Sequence, residues 1–312
     1  MLFEISGVEI HPLIPPLFAF VLSFFTSMGG VSGAFLILPF QVSILGFTSP
    51  AVSSTNQLYN IVSIPGGLYK YFKEGRMVMP LAWIVIFGTL PGVLIGALLR
   101  IELLPDPTNF KFFAGLVLLY MGIRLLLDII AKKKANGSAE NRFQELVKNN
   151  RGNSGRNSDL PKTKVIQFNL KSVIYEFYGE RFDIPTLKVS LISFIVGIAG
   201  GIYGIGGGAI MAPFFVAFFN LPVYTVAGAA LMGTFVTSVS GVAFYQMLAY
   251  LYPGQAISPD WLLGLFFGVG GLCGMYLGAK FQKYFPAKLI KAILVICIMF
   301  ISIKYIIEFF IK

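Results

Sequence analysis

Ten apolar segments follow one another along the chain, and most of them are long enough to cross a lipid bilayer as helices. They lie near residues 13–28, 33–47, 50–71, 78–99, 110–131, 188–203, 208–219, 223–251, 261–281 and 288–311. A bilayer core about 30 Å thick requires roughly 20 apolar residues of helix. The segments are continuously apolar and lack the alternation of a membrane β-strand. The pattern therefore predicts an all-α polytopic membrane protein.

The charge content favours the same class. Only 12% of the residues are charged, against about 25% in a soluble globular domain. The net charge of +10 does not indicate nucleic-acid binding, because much of the basic charge lies in one polar segment, Ala131 to Lys188. Basic residues concentrate in cytoplasmic loops of membrane proteins. We therefore expect membrane lipid and a small solute as partners, and no nucleic acid.

One polar stretch divides the ten segments into two groups of five. The predicted organisation is a first transmembrane repeat at 1–131, a polar cytoplasmic linker at 132–185 and a second repeat at 186–312. The end of the linker, Val165 to Phe182, has a mixed composition that suits a short surface helix or strand. Lys132 to Lys134 are expected to contact anionic lipid headgroups.

The two groups of five are related by an internal duplication. Sliding the chain by 174 positions, then by 182 after eight extra residues in the second copy, brings glycines, prolines and aromatics into register. The pairs are Gly30/Gly204, Gly33/Gly207, Pro39/Pro213, Phe40/Phe214, Gly67/Gly241, Tyr71/Tyr245, Gly88/Gly270, Gly92/Gly274 and Gly96/Gly278. Repeats of this kind are common in secondary transporters. The first two segments of each group are short, and they either span the membrane or re-enter it.

The distribution of basic residues predicts that the two repeats are inverted. Residues 1–69 hold no Lys or Arg, whereas Lys70, Lys73 and Arg76 lie in the loop after the third segment. The corresponding loop of the second half, Leu251 to Pro259, is uncharged. Because basic loops stay inside, corresponding loops lie on opposite sides. We expect a multi-pass protein of the cell membrane, with the central loop in the cytoplasm and both termini outside.

Two long stretches of the chain contain no Asp, Glu, Lys or Arg. They run from Pro12 to Tyr69 and from Val189 to Pro259, and each contains a glycine-rich turn. Glycines allow an apolar helix to break, and the new N-terminus attracts anions through its backbone N–H groups and helix dipole. Paired breaks in corresponding positions indicate a transporter site. We therefore expect a neutral site for a small anion. The candidate substrate-binding residues are Gly30, Ser32, Gly33, Ser54, Thr55, Asn56, Gln57, Tyr203, Gly206, Gly207, Gly208, Thr234 and Thr237.

Other interpretations of these residues remain open. Glycine and small hydroxyl residues also allow helices to approach closely in membranes. A membrane enzyme would need a nucleophile with a base, or a metal cluster. Ser32 in Gly30-Val31-Ser32-Gly33 has a candidate base only in His11, the single histidine of the chain. We therefore expect no enzymatic activity, no metal and no cofactor.

The glycine stretches resemble those of the TauE/SafE family of sulfite and sulfonate exporters. The second copy, Gly204 to Pro213, fits the family pattern of a glycine-rich turn followed by apolar residues and proline. The first copy departs from it, because Ser32 and Ala34 stand where glycines are usual. The run Ala51 to Asn56 and the stretch Gly67 to Arg76 fit again. The resemblance covers roughly 12–131 and 186–311.

The resemblance implies a membrane transporter of small sulfur-containing or organic anions, such as sulfite or sulfoacetate, which exports its substrate. Alternating access around the neutral site, lined by the N-termini of the broken helices, is the expected mechanism. An anion channel and an importer of another small anion are the alternatives. Saturable flux with counterflow distinguishes a carrier from a channel. The oligomeric state is left open.

Overall fold

The chain folds into a bundle of helices with two small sheets at its ends. The computed structural model describes residues 1–28, 32–73, 75, 77–130, 163–177, 179–219, 221–281 and 287–311. In the described part of the first half, the elements are β1 (Leu2–Phe3), β2 (Val8–Glu9), α1 (Ile14–Met28), α2 (Ala34–Ser43), α3 (Ala51–Lys73), α4 (Met79–Glu102) and α5 (Pro107–Ile130). In the second half, the helices are α6 (Thr186–Tyr203), α7 (Gly207–Phe219), α8 (Val223–Leu251), α9 (Trp261–Phe281) and α10 (Ala287–Ile311).

The ten apolar segments of the sequence are all helices, which confirms an all-α polytopic membrane protein. Six helices of the described chain, α4, α5, α6, α8, α9 and α10, are long and apolar enough to cross a membrane. Helix α3 has 23 residues, about 34 Å at the rise of an α-helix, but polar residues from Ser53 to Asn60 interrupt its apolar sequence. α1 and α2 are shorter.

Contacts at glycines give the relative directions of the helices. Three glycines of α9 face three carbonyl groups that lie one helical turn apart in α1: Gly270 faces Pro16, Gly274 faces Phe20 and Gly278 faces Phe24. Residue numbers rise together in the two helices, so α1 and α9 run in the same direction. The absence of a side chain allows this approach, since an added Cβ at Gly274 would lie 2.3 Å from the Phe20 carbonyl oxygen.

The same contact occurs between α4 and α6. Here Gly88 faces Ser190, Gly92 faces Phe194 and Gly96 faces Ile198. These glycines and carbonyl groups correspond to those of α9 and α1 at the sequence offsets of 182 and 174. The α6–α4 contact therefore repeats the α1–α9 contact, with the glycine-bearing helix taken from the first half of the chain instead of the second. The orientation of the halves in a membrane stays a prediction.

Helices α1 and α2 turn back to the end of the molecule from which α1 begins. That end, named here the N-terminal end, consists of residues 1–13, 44–50 and 252–260. Ser6 N–H donates to Asp260 there, and Ala51 N–H at the start of α3 donates to Ala256. Phe40 near the end of α2 stacks on Phe18 near the start of α1. The two helices thus form a hairpin, and α2 begins inside the molecule, where Ala34 is fully buried.

Helices α6 and α7 form the corresponding hairpin from the opposite end. α6 runs parallel to α4, which begins where α3 ends, at the end of the molecule named here the linker end. The start of α7 lies deep in the molecule, because Gly208 faces the Ala230 carbonyl group and Thr234 inside α8. α7 then returns to the beginning of α8 at Val223. The starts of α2 and α7 therefore approach each other from opposite ends.

A small antiparallel sheet covers part of the linker end. It consists of β3 (Lys164–Phe168), β4 (Ser172–Phe177) and β5 (Glu180–Pro185) in the order β3-β4-β5. The Tyr175 hydroxyl lies 2.9 Å from the Thr225 hydroxyl in α8, and burial raises the pKa of Tyr175, so this group stays neutral. The end of the linker, for which the sequence predicts a short surface helix or strand, forms strands. Lys132 to Lys134 lie outside the described residues.

Candidate functional site

The break between α6 and α7 requires glycine for both conformation and space. Gly204 and Gly206 have φ angles of 81° and 73°, in the left-handed region that favours glycine. A Cβ at Gly204 would lie 2.3 Å from the Ser53 carbonyl oxygen of α3. A side chain at this position would therefore force the α6–α7 hairpin away from α3.

The break between α1 and α2 is fastened to α3 by small polar groups. Residues 29–31 lie outside the described chain, and with them the predicted site residue Gly30. The Ser32 hydroxyl accepts from Ala34 N–H at 3.3 Å and donates to Asn60 Oδ1 at 2.9 Å. At Gly33, an added Cβ would lie 2.6 Å from the Tyr59 hydroxyl oxygen. The start of α2 is thus held directly against α3.

Asn56 of α3 connects the two breaks. Its Nδ2 atom donates to the Ala34 carbonyl oxygen at 3.0 Å and to the Gly204 carbonyl oxygen at 3.1 Å. Because one nitrogen atom contacts both carbonyl groups, the two breaks are separated only by the amide of this side chain. We name this place, formed by Ser32, Asn56, Asn60, Gly204 and Ile205, the junction.

Asn60, one helical turn after Asn56, repeats this bridging role. Its Nδ2 atom donates to the Ile205 carbonyl oxygen at 3.0 Å and lies 3.5 Å from the Ser238 hydroxyl oxygen in α8. Asn60 and Ser238 are not among the predicted substrate-binding residues. The spacing of four residues from Asn56 is the signal that finds Asn60, because residues four apart share a face of a helix.

Hydroxyl groups of α8 line the other side of the second break. Gly207 N–H at the start of α7 donates to the Thr237 hydroxyl oxygen at 3.3 Å. Gly206 faces Thr237 and Ser238, since an added Cβ would lie 3.1 and 3.0 Å from their hydroxyl oxygens. Thr234 donates to the Ala230 carbonyl oxygen at 2.8 Å. The predicted candidates of the second half therefore gather around the N-terminus of α7.

Three predicted candidates point elsewhere. Ser54 donates to the Ile257 carbonyl oxygen at 2.8 Å, and Thr55 accepts from Asp260 N–H at 2.9 Å. Both therefore fasten α3 to the N-terminal end and do not reach the junction. Tyr203 donates to the Phe35 carbonyl oxygen at 2.7 Å, which holds the end of α6 against α2.

The side chains that form the hydrogen bonds of the junction are all neutral, and some of their polar atoms are unpaired. Asn56 Oδ1 and both amide atoms of Gln57 are buried without a hydrogen-bond partner. Gln57 lies between α3 and α8, where its side chain occupies the space beside Gly241. The described part of the chain holds no group of three or more His, Cys, Asp or Glu that suits a metal ion. The arrangement offers amide and hydroxyl groups to a ligand.

Arg100, at the end of α4, is fully buried. Its position directly after the apolar segment 78–99 is typical of a loop charge. In the structure its guanidinium group donates to the carbonyl oxygens of Thr48 and Leu104 and lies 3.8 Å from the centre of the Phe110 ring. These contacts close the N-terminal end of the bundle.

Comparison with known families agrees with this geometry. The family model described as sulfite exporter TauE/SafE matches residues 16–305, a range that includes both hairpins and the junction. The chain belongs to the TauE/SafE family. The family resemblance seen in the glycine stretches is thereby confirmed.

Curated relatives of this TauE/SafE protein are described as probable membrane transporters. YunE of Bacillus subtilis (strain 168) is 23% identical over 291 residues, which cover 90% of this chain and 92% of that protein. YdhB of the same organism is 29% identical over 104 residues, 33% of this chain and 39% of that protein. A protein of Xylella fastidiosa (strain 9a5c) is 27% identical over 101 residues, 32% of this chain and 36% of that protein. No solved structure matches the chain. The chain is a membrane transporter, and these names indicate no enzyme.

Proposed function

We propose that this transporter exports small sulfur-containing or organic anions, such as sulfite or sulfoacetate, through the junction. The observation that carries the proposal is the meeting of two helix breaks at Asn56, which places the N-termini of α2 and α7 together inside the molecule. Helix N-termini bind anions through backbone N–H groups and the helix dipole. The matched family is described as a sulfite exporter, which supports the choice of anion.

Alternating access is the proposed mechanism. The hairpin α1–α2 enters from the N-terminal end and α6–α7 from the linker end, so each separates the junction from one side. Movement of either hairpin against α3 and α8 opens the junction to that side. The close glycine contacts of α1 with α9 and of α6 with α4 make these helix pairs the units that move. This arrangement favours a carrier over a channel.

The proposed orientation places the linker end in the cytoplasm and both chain termini outside. Lys70 and Lys73 lie at the linker end of α3, whereas residues 1–69 contain no Lys or Arg. Basic residues remain on the cytoplasmic side of the cell membrane. An inside-negative membrane potential then drives anions outward. Contact with membrane lipid follows from this placement, and no further partner is proposed.

Binding is tested by thermal unfolding of the purified protein in detergent. A ligand that binds only the folded state raises its stability, by about 2.7 kcal/mol at a concentration one hundred times its dissociation constant. Sulfite is expected to raise the unfolding midpoint, whereas chloride at equal ionic strength is the control. Equal midpoints in saturating sulfite and in chloride would contradict sulfite as a ligand.

A further inference from the structure

We propose that the junction selects small monoanions that carry a hydrogen-bond donor of their own, an O–H or N–H group, and that Asn56 Oδ1 accepts this donor. The inference rests on the proposed function, because it concerns the substrate class of the same site. Its basis is the set of buried polar atoms at the junction that have no hydrogen-bond partner.

The contacts of Asn56 fix which atom of its amide is oxygen. The other amide atom lies 3.0 and 3.1 Å from the carbonyl oxygens of Ala34 and Gly204. Carbonyl oxygens only accept hydrogen bonds, so the atom between them is the nitrogen donor. Oδ1 belongs to the same small amide group and therefore lies at the junction as well.

Asn56 Oδ1 is an acceptor without a donor. Asn56 is fully buried, and its Oδ1 atom has no hydrogen-bond partner. A buried acceptor that stays unpaired is unfavourable, and supplying a donor favours the bound state by on the order of tenfold or more. A ligand that brings an O–H or N–H group satisfies this atom. A ligand that presents only oxygen lone pairs is repelled by it.

Gln57 supplies the complementary group. It is fully buried, and its Nε2 and Oε1 atoms are both without partners. Its amide N–H groups can donate to an oxygen of an anion, together with the N-termini of α2 and α7. The Oε1 atom of Gln57 faces Gly241 of α8, so the site offers N–H donors for a single negative charge and Asn56 Oδ1 as the acceptor for the hydrogen of the ligand. A neutral site of this composition suits a monoanion better than a dianion, because desolvation costs more for a higher charge.

Ligands that carry a hydrogen-bond donor are therefore expected to bind more tightly than ligands of similar size that lack one. Hydrogen sulfite carries a donor and one negative charge, whereas fully deprotonated sulfite carries two charges and no donor. Sulfonates with a hydroxyl group are favoured over alkyl sulfonates of the same size and charge. Sulfoacetate fits the site with its carboxyl group protonated, because it is then a monoanion with an O–H donor.

A matched pair of sulfonates tests the inference on the unmodified protein. 2-Hydroxyethanesulfonate has a hydroxyl group where 1-propanesulfonate has a methyl group, and both are monoanions. In proteoliposomes, each competes with labelled sulfite in counterflow. The hydroxyl compound is expected to inhibit at a concentration about tenfold lower. Equal inhibition, or stronger inhibition by 1-propanesulfonate, would overturn the inference and leave the proposed function intact. Absence of sulfite flux would overturn both.

Two variants separate the roles of the two amides. Asn56→Ala removes the acceptor, so the ratio between the two sulfonates is expected to fall to about one. Gln57→Ala keeps Asn56 and every hydrogen bond of the junction, so both sulfonates are expected to bind more weakly at an unchanged ratio. A preserved ratio in Asn56→Ala protein with a wild-type unfolding midpoint would overturn the role of Asn56. If Asn56→Ala does not fold, the comparison on the unmodified protein decides.

Discussion

Asn56 and Asn60 of α3 fasten the two helix breaks, whereas the side chain of Gln57 has no hydrogen-bond partner. Because its amide atoms have no hydrogen-bond partner, a change of its charge does not break a contact of the folded protein. Asn56 and Asn60, in contrast, each bridge two segments, so their replacement alters structure and binding together. Gln57 is therefore the cleanest residue for testing the electrostatics of the site.

Gln57→Glu is expected to reduce sulfite flux at least tenfold. The substitution preserves size, removes the amide N–H donors that would hold the anion, and adds a negative charge when the carboxyl group is ionised, which repels an anion in a buried site. The flux is measured in proteoliposomes, with Gln255→Glu in the exposed loop before α9 as the matched control. Wild-type flux in Gln57→Glu protein would show that the anion does not pass near α3.

Single residues also show how far the sequence alone predicts the site. The glycine breaks and Asn56 are found because glycine and amide groups are unusual within apolar segments. Arg100 is not found, because its neighbours in sequence are those of a loop residue. Its burial depends on Thr48 and Phe110, which only the folded chain brings to it. Ser54 and Thr55 adjoin Asn56 in sequence but contact the N-terminal end, since the direction of a helical side chain depends on the neighbouring helices.

At the scale of helices, close glycine contacts hold α1 to α9 and α6 to α4. The two contacts are alike in geometry, since an added Cβ at Gly92 or at Gly274 would lie 2.3 Å from a carbonyl oxygen of the facing helix. Small residues of this kind are the usual means by which membrane helices approach each other. If the two helix pairs are equivalent, the same substitution at corresponding glycines will change the stability of the protein by similar amounts.

Gly92→Ala and Gly274→Ala are each expected to lower the unfolding midpoint, and by similar amounts. The added methyl group clashes with backbone, which cannot move aside as a flexible side chain can. Gly67→Ala in α3 is the control, because its Cβ would lie 3.7 Å from the nearest atom, in Met275. Alanine favours helix over glycine by about 1 kcal/mol, so this control is expected to be neutral or stabilising. A loss in only one of the two test variants would contradict the equivalence of the pairs.

The sequence predicts the helices well and their paths less well. The ten helices of the described residues follow the ten apolar segments within a few residues, because continuous apolar sequence has few other structures available in a membrane. The lengths of α1 and α2, 15 and 10 residues, suit either a short span or a re-entrant hairpin. The choice depends on contacts such as that of Phe40 with Phe18, which lie outside the reach of a periodicity argument.

At the scale of the whole molecule, the two ends differ in what covers them. The N-terminal end carries strands β1 and β2, with Phe3 packed edge-on against Phe266. The linker end carries the sheet β3–β5, which is attached through Tyr175. The distribution of Lys and Arg is the basis for assigning the N-terminal end to the outside and the linker end to the cytoplasm. Labelling of single cysteines tests it directly.

Gly254→Cys and Leu170→Cys are expected to react from opposite sides of the membrane. Both positions are exposed, Gly254 at the N-terminal end and Leu170 in the linker sheet. A membrane-impermeant thiol reagent applied to intact cells is expected to label Gly254→Cys at once, and Leu170→Cys only after permeabilisation. Cys273 and Cys297 are first replaced by serine, because both are exposed. The reverse pattern would contradict the proposed orientation.

The central claim is that two opposed hairpins present one neutral anion site alternately to the two sides. Counterflow of labelled sulfite in proteoliposomes measures this property, because a carrier loaded with unlabelled sulfite exchanges it for label without net flow. The account predicts saturable exchange that is stimulated by internal sulfite and reduced by Gln57→Glu. Linear flux with no stimulation would indicate a channel. The absence of any sulfite exchange by folded protein would contradict the proposed site.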